Sequence, residues 1–169
     1  VKACHQHLRL QGLRSDPVLR EVQLSHNYAF PAQAVWHVAT DLDHLKTVTE
    51  GLLAFRDLPS GRIIEGQTLD VQVSLLGLLP YQPYRMQVLH FDDTQMSFAS
   101  EEQGVGVKVW RHSLQVFPTS TGAQIREAIE IDAGWKTPLF VAWARFMYRR
   151  RHPRRVNILR QLKDNGGPR

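Results

Sequence analysis

The sequence predicts an α+β domain in which a seven-stranded sheet curves around one long C-terminal helix. Three observations carry this. Alternating, strand-like segments follow one another as far as Asp132. Pro138 then opens a single aromatic helix, Leu139-Phe140-Val141-Ala142-Trp143-Ala144-Arg145-Phe146-Met147-Tyr148. Two short helical segments stand between the first strand and all the others. A sheet that ends in one long helix buries its apolar face by wrapping around it, and the space left between the two is where function is to be sought.

The elements follow in order. Residues 1–17 are polar and without period, and read as an arm. Val18 to Phe30 is a long strand, with Val18, Arg20, Val22 and Leu24 alternating with Leu19, Glu21 and Gln23. Pro31 suits the first turn of a helix over Ala32–Thr40, with Val35, Val38 and Ala39 on one side. Asp41 caps a second helix, Leu42–Val48, before Gly51. Leu53–Leu58 is a short strand ending at Pro59-Ser60-Gly61. Leu69, Val71, Val73 and Leu75 alternate with Asp70, Gln72 and Ser74, and Gly77 to Pro80 turns the chain. Tyr84, Met86 and Val88 alternate next. Asp92-Asp93 marks a hairpin turn before a strand over Gln95–Glu101, in which Met96/Phe98 and Ser97/Ala99 compete for the inner face. Gly104 to Gly106 is a turn. Val107–Phe117 and Ala123–Asp132 form the last hairpin, around Pro118 to Thr121. Pro153 is expected to end or kink the long helix near His152.

Composition bounds the protein further. Its 169 residues suit one domain with a real core, and 43% apolar with 22% charged residues is ordinary for a globular chain. No apolar run approaches a membrane span, and Val1 to His7 has no signal-peptide character, so a cytoplasmic location is expected. The single Cys4 excludes an internal disulfide or a Cys-rich zinc site. The net charge of +5 is uneven: residues 140–169 hold nine Lys/Arg against Asp164 alone, a net of +8, which leaves −3 for residues 1–139.

The order strand, two helices, six strands, long helix resembles the START-like, Bet v 1-like (SRPBCC) superfamily and its polyketide cyclase/dehydrase-like branch. The resemblance is carried by Phe30-Pro31-Ala32-Gln33-Ala34-Val35-Trp36-His37, by Asp41-Leu42-Asp43-His44-Leu45, and by Met86-Gln87-Val88-Leu89-His90-Phe91-Asp92. Trp110-Arg111-His112-Ser113-Leu114 and the Pro138 helix complete it. It implies a helix-grip fold: a seven-stranded antiparallel sheet curved around the long helix, in a bacterial ligand-binding domain over residues 18–152. Residues 1–17 and a basic extension, 153–169, lie outside the pattern.

Within this frame His112 and Glu127 are the sharpest pair. With residues 118–121 as the loop, His112 faces Glu127 and Trp110 faces Ile129, about 4.5–5.5 Å apart at Cβ. An imidazole against a carboxylate on an apolar face reads as a proton-transfer or ligand-orienting dyad, or as an internal ion pair that sets register. A two-residue register slip would separate them. Tyr84, Met86, Trp110, His112, Leu114, Glu127, Ile129, Trp135, Leu139, Trp143 and Phe146 are the candidate ligand-binding residues, with Trp36 and Tyr148 among the aromatics that either rim the pocket or fill the core. Arg149, Arg150, Arg151, Arg154 and Arg155 read as cations favourably placed at a helix C-terminus, or as a face for an anionic membrane surface or acidic partner. Without interleaved aromatics they do not read as a nucleic-acid site. His5 and His7 make a poor metal site, His37 and His44 read as surface contacts, and no metal or cofactor is expected. No phosphate loop, His-Glu-x-x-His or Gly-x-Ser-x-Gly motif occurs.

The expected function is binding of a small to medium hydrophobic ligand (lipid, isoprenoid, aromatic or polyketide-like). The alternative is a cyclase/dehydratase-type enzyme using His112 and Glu127.

Overall fold

The computed structural model describes residues 19–166. The expectations for residues 1–17, with Cys4, His5 and His7, and those for Val18 and Arg169 lie outside the described residues. Strand β1 (Arg20–Tyr28) is followed by helices α1 (Ala32–Thr40) and α2 (Leu42–Thr49). Strands β2 (Leu53–Arg56), β3 (Thr68–Leu75), β4 (Gln82–Asp92), β5 (Ser97–Gly104), β6 (Val107–Thr119) and β7 (Gly122–Asp132) come next, then a 3₁₀ turn (Gly134–Lys136) and helix α3 (Thr137–Asp164). The seven strands form one antiparallel sheet in the order β1-β7-β6-β5-β4-β3-β2. This is the helix-grip architecture the sequence predicts.

Local chemistry accounts for the elements. Pro31 precedes α1, and its carbonyl accepts the first helical bond from Val35 N. Asp41 caps α2 through its side chain, accepting from Asp43 N at 2.8 Å and His44 N at 3.1 Å. The helix pair carries the chain from one sheet edge, β1, to the other, β2. It is pinned there by Arg154 of α3, which donates to the carbonyls of Val48 (3.0 Å) and Glu50 (2.6 Å) at the end of α2. A register shift between Val88 and His90 bends the sheet at the β4–β5 pair. The β5 ambiguity resolves in favour of Phe98, Ser100 and Glu102, which point inward and are buried.

Two expectations are corrected. First, the β6–β7 hairpin is tighter than a four-residue loop: Pro118 pairs with Ala123 and Thr119 with Gly122, so only Ser120 and Thr121 turn. Pro118 is tolerated because β5 pairs with β6 no further than Gln115, leaving β6 locally an edge. Gly122 completes the turn at φ +144°, where an added Cβ would collide with the Tyr28 carbonyl. Second, α3 does not end near His152. Pro153 lies inside it on an exposed face, and the helix continues to Asp164. A proline in a helix interior costs about 3 kcal/mol, and burial of Arg155, Ile158 and Leu159 beyond it offsets this. The stretch expected to be a cationic extension is therefore in part core. No helix among the described residues is long and apolar enough to cross a membrane.

Candidate functional site

The concave face of the sheet and α3 enclose a cavity of about 120 Å³. That is roughly ten times the ~10–15 Å³ one water needs, so it is space for an organic group. Its sheet wall is built from inward residues of β3, β4 and β5, among them Leu69, Val71, Val73, Met86 and Phe98. Period-2 alternation places Leu69, Val71 and Val73 inside and Asp70 and Gln72 outside. Its helix wall is Phe140, Trp143, Met147 and Tyr148, which share one face of α3 at i, i+3/i+4 spacing. α2 closes one side with Leu42, Leu45 and Val48.

A polar end is set into this apolar shell by Tyr84, Ser100, Glu102, His112, Arg151 and Arg155. Glu102 accepts from Tyr84 Oη and, at 3.3 Å, from Ser100 Oγ. Burial, and then Glu102, push the Tyr84 hydroxyl well above its usual pKa, so Tyr84 stays a donor. Behind the wall, Arg155 Nη2 donates to Glu127 Oε1 at 3.1 Å, and both side chains are 5% exposed or less. Burial alone would push the Glu127 carboxyl up, but Arg155 and then His112 more than offset it and hold it well below the usual carboxylate range. Burial likewise disfavours the Arg155 cation, and Glu127 overrides it and keeps the guanidinium charged. Burial pushes the Tyr148 hydroxyl above its ordinary range.

His112 and Glu127 meet, though not as expected. The tighter hairpin slips the register by two residues, so His112 faces Ile129 and Glu127 faces Leu114. The slip does not separate the pair, because diagonal neighbours on one face remain within reach of long side chains. His112 Nε2 lies 3.5 Å from Glu127 Oε1, a close approach rather than a firm hydrogen bond. The imidazole is wedged edge-on between Phe98 and Tyr148, at ring-centre distances of 5.2 and 5.0 Å. His112 lines the cavity; Glu127 does not.

Of the other candidates, Tyr84, Met86, Trp110 and Trp143 line the cavity. Leu114 and Ile129 are buried in the packing of the wall without reaching its surface. Trp135, Leu139 and Phe146 lie outside, 87%, 69% and 47% exposed. Trp135 is in the 3₁₀ turn before α3, and Leu139 and Phe146 sit off the face of α3 that carries Phe140, Trp143 and Met147. Trp36 belongs to the core, its Nε1 donating to Asp93. Arg151 and Arg155 are buried and Arg154 is occupied by α2, which leaves only Arg149 and Arg150 of the five basic-run arginines exposed and uncommitted. Sequence reasoning missed Ser100, Glu102 and the inward roles of Arg151 and Arg155. Extending the helical stripe Ala144, Met147, Tyr148 places Arg151 and, beyond Pro153, Arg155 on the buried face. Among the described residues no cluster of His, Cys, Asp or Glu is arranged for a metal.

A family model described as "Domain of unknown function (DUF8410)" matches residues 29–159. No curated protein matches the chain in sequence. Solved structures share its fold. Protein NE0264 from Nitrosomonas europaea is similar with a TM-score of 0.67 and 15% identity, covering 85% of this chain and 96% of that one. A point mutant of norcoclaurine synthase from Thalictrum flavum, in complex with a transition-state analogue, gives 0.65 and 17%, covering 88% and 98%. Ara h 8.0201 gives 0.64 and 8%, covering 85% and 99%. At these identities the likeness is one of fold, the Bet v 1-like helix-grip fold.

Proposed function

Because the chain belongs to the family described as a domain of unknown function, DUF8410, we propose its function from the site itself: it binds a small to medium hydrophobic ligand between the sheet and α3. The observation that carries this is the composition of the cavity wall, aliphatic and aromatic on both the sheet and helix sides, with few polar groups among the lining residues. Lipids, isoprenoids, aromatics and polyketide-like compounds all fit that description. The neutral probe N-phenyl-1-naphthylamine tests it. Wild-type protein raises and blue-shifts its emission, and Val71→Trp, which fills the cavity, weakens binding at least tenfold while far-UV circular dichroism is unchanged. No emission change with wild type, together with no apolar mass retained in native mass spectrometry, refutes the reading.

A second reading, proton transfer of cyclase/dehydratase type, is supported by His112 at the cavity wall with Glu127 behind it. With Glu127 locked to Arg155, the exchangeable proton would sit on His112, and Glu127 would orient the ring. One protein of this fold is a synthase, but fold does not decide chemistry. Turnover of an aromatic polyketide thioester mimic that is unaffected in His112→Ala removes this reading. Ligand exchange at an anionic membrane surface is supported by exposed Trp135, Leu139 and Phe146 beside Lys136, Arg145, Arg149 and Arg150.

A further inference from the structure

Arg151 is a cation in the cavity that no carboxylate of the described residues contacts. It lies one helical turn before Arg155 on the inner face of α3, lines the cavity and is 7% exposed. A guanidinium stays charged in any protein environment, so burial cannot be relieved by losing a proton. Its contacts are weak ones. Nη2 reaches Met147 Sδ at 3.8 Å, the guanidinium carbon sits 4.2 Å over the Tyr148 ring, and the buried Nε has no hydrogen-bond partner. No salt bridge involves Arg151 among the described residues. Both nearby carboxylates are committed elsewhere: Glu127 to Arg155, and Glu102 to Tyr84 and Ser100.

An uncompensated buried cation is costly, and an anion delivered by a ligand removes that cost. Building on the cavity-binding reading above, we propose that Arg151 anchors the carboxylate of an amphipathic monocarboxylic acid whose apolar body lies against Val71, Phe98 and Trp143. The planar fork of Nε–H and Nη–H matches the two oxygens of a carboxylate. A singly charged head suits the site better than a phosphate dianion, because Glu102 already stands at the cavity wall without a cationic partner among the described residues, whereas Glu127 is offset by Arg155.

The test is displacement of N-phenyl-1-naphthylamine by octanoate, octan-1-ol and octyl phosphate at neutral pH. Octanoate, although the more water-soluble, displaces the probe at a concentration at least tenfold below octan-1-ol. Arg151→Gln abolishes that preference, read as the ratio of octan-1-ol to octanoate displacement within the same variant, and Arg151→Lys retains part of it. Equal or better displacement by octan-1-ol in wild type overturns the proposal, as does an acid preference that survives in Arg151→Gln or a preference for octyl phosphate over octanoate. If Arg151→Gln does not fold, the wild-type comparison and Arg151→Lys decide. Probe binding without acid preference sinks the anchor but not the cavity; no probe binding by wild type sinks both.

Discussion

Arg155 and Glu127 join the far half of α3 to the middle of β7 through a buried bond of 3.1 Å. The bond lies two residues beyond Pro153, so the helix is held to the sheet on both sides of its proline. Pairs of this kind add little net stability relative to apolar packing, yet removal of one partner strands the other. The role that follows for Arg155–Glu127 is to fix where α3 sits over the sheet.

Glu127→Ala is therefore expected to destabilise the protein by about 3–5 kcal/mol, the cost of an uncompensated buried charge. Urea denaturation at neutral pH measures it. Because the folded-state carboxyl lies below its unfolded value, the contribution is fully present above an ordinary carboxylate pKa and is lost as pH falls below it. Wild type should lose stability between about pH 5 and 3 more steeply than Glu127→Gln, taking about 4.3 as the unfolded value. Parallel curves would show that Glu127 is not held in its ionised form.

A second pH response comes from β1 and α3. His26 and His152 stack at 4.8 Å, with Tyr28 edge-on to His152 at 4.7 Å. Burial lowers both imidazole pKa values; Arg155 lowers both further and Glu127 opposes it, while Arg149 adds to the effect on His26 and His26 itself to that on His152. A histidine depressed in the folded state binds its proton more readily when unfolded. The associated stability is present above about pH 6.5 and falls as the medium is acidified below it. The double variant His26→Gln/His152→Gln should flatten the thermal midpoint between about pH 7 and 5. An unchanged slope there would exclude the stack as its source.

Gly122→Ala should cost roughly 1–3 kcal/mol, because Ala tolerates neither the φ of +144° nor the closeness of the Tyr28 carbonyl. Chemical denaturation gives the loss, and amide exchange should quicken first around the β6–β7 turn. A neutral result would mean that the turn is wider than Ser120–Thr121.

For the outer surface, sedimentation with phosphatidylserine vesicles should fall at least fivefold in Trp135→Ala/Phe146→Ala and again in Arg149→Ala/Arg150→Ala. Each cation near such a surface contributes about 1 kcal/mol. Equal binding to neutral vesicles would point to apolar adsorption without a charge contribution.

The fold was legible because its signals are local. Alternation from Leu69 to Leu75 and the Asp41 cap each declare an element without reference to anything distant. The site was harder to read. Whether His112 meets Glu127 depends on a turn two residues shorter than Pro118 suggests, and one proline cannot reveal that β6 has run past its β5 neighbour. Arg155 looks like solvated charge until α3 is seen to continue through Pro153, and only the paired carboxylate on β7 makes its inward position sensible; Arg151 was hidden by its place in the run Arg149-Arg150-Arg151. Ser100 and Glu102 remained hidden because Phe98 and Ala99 are both acceptable inner residues for β5.

The neighbouring positions of β1 and β7 set the order in which the domain can be made. Arg20 pairs with Ile131 and Tyr28 with Ala123, so the first strand must wait about a hundred residues for its partner. At about 5–20 residues per second, a ribosome leaves that edge unpaired for at least several seconds. Such long-range closure slows folding, and an open strand edge in the interval invites pairing with other chains. The incomplete chain would thus be most vulnerable to aggregation before β7 emerges.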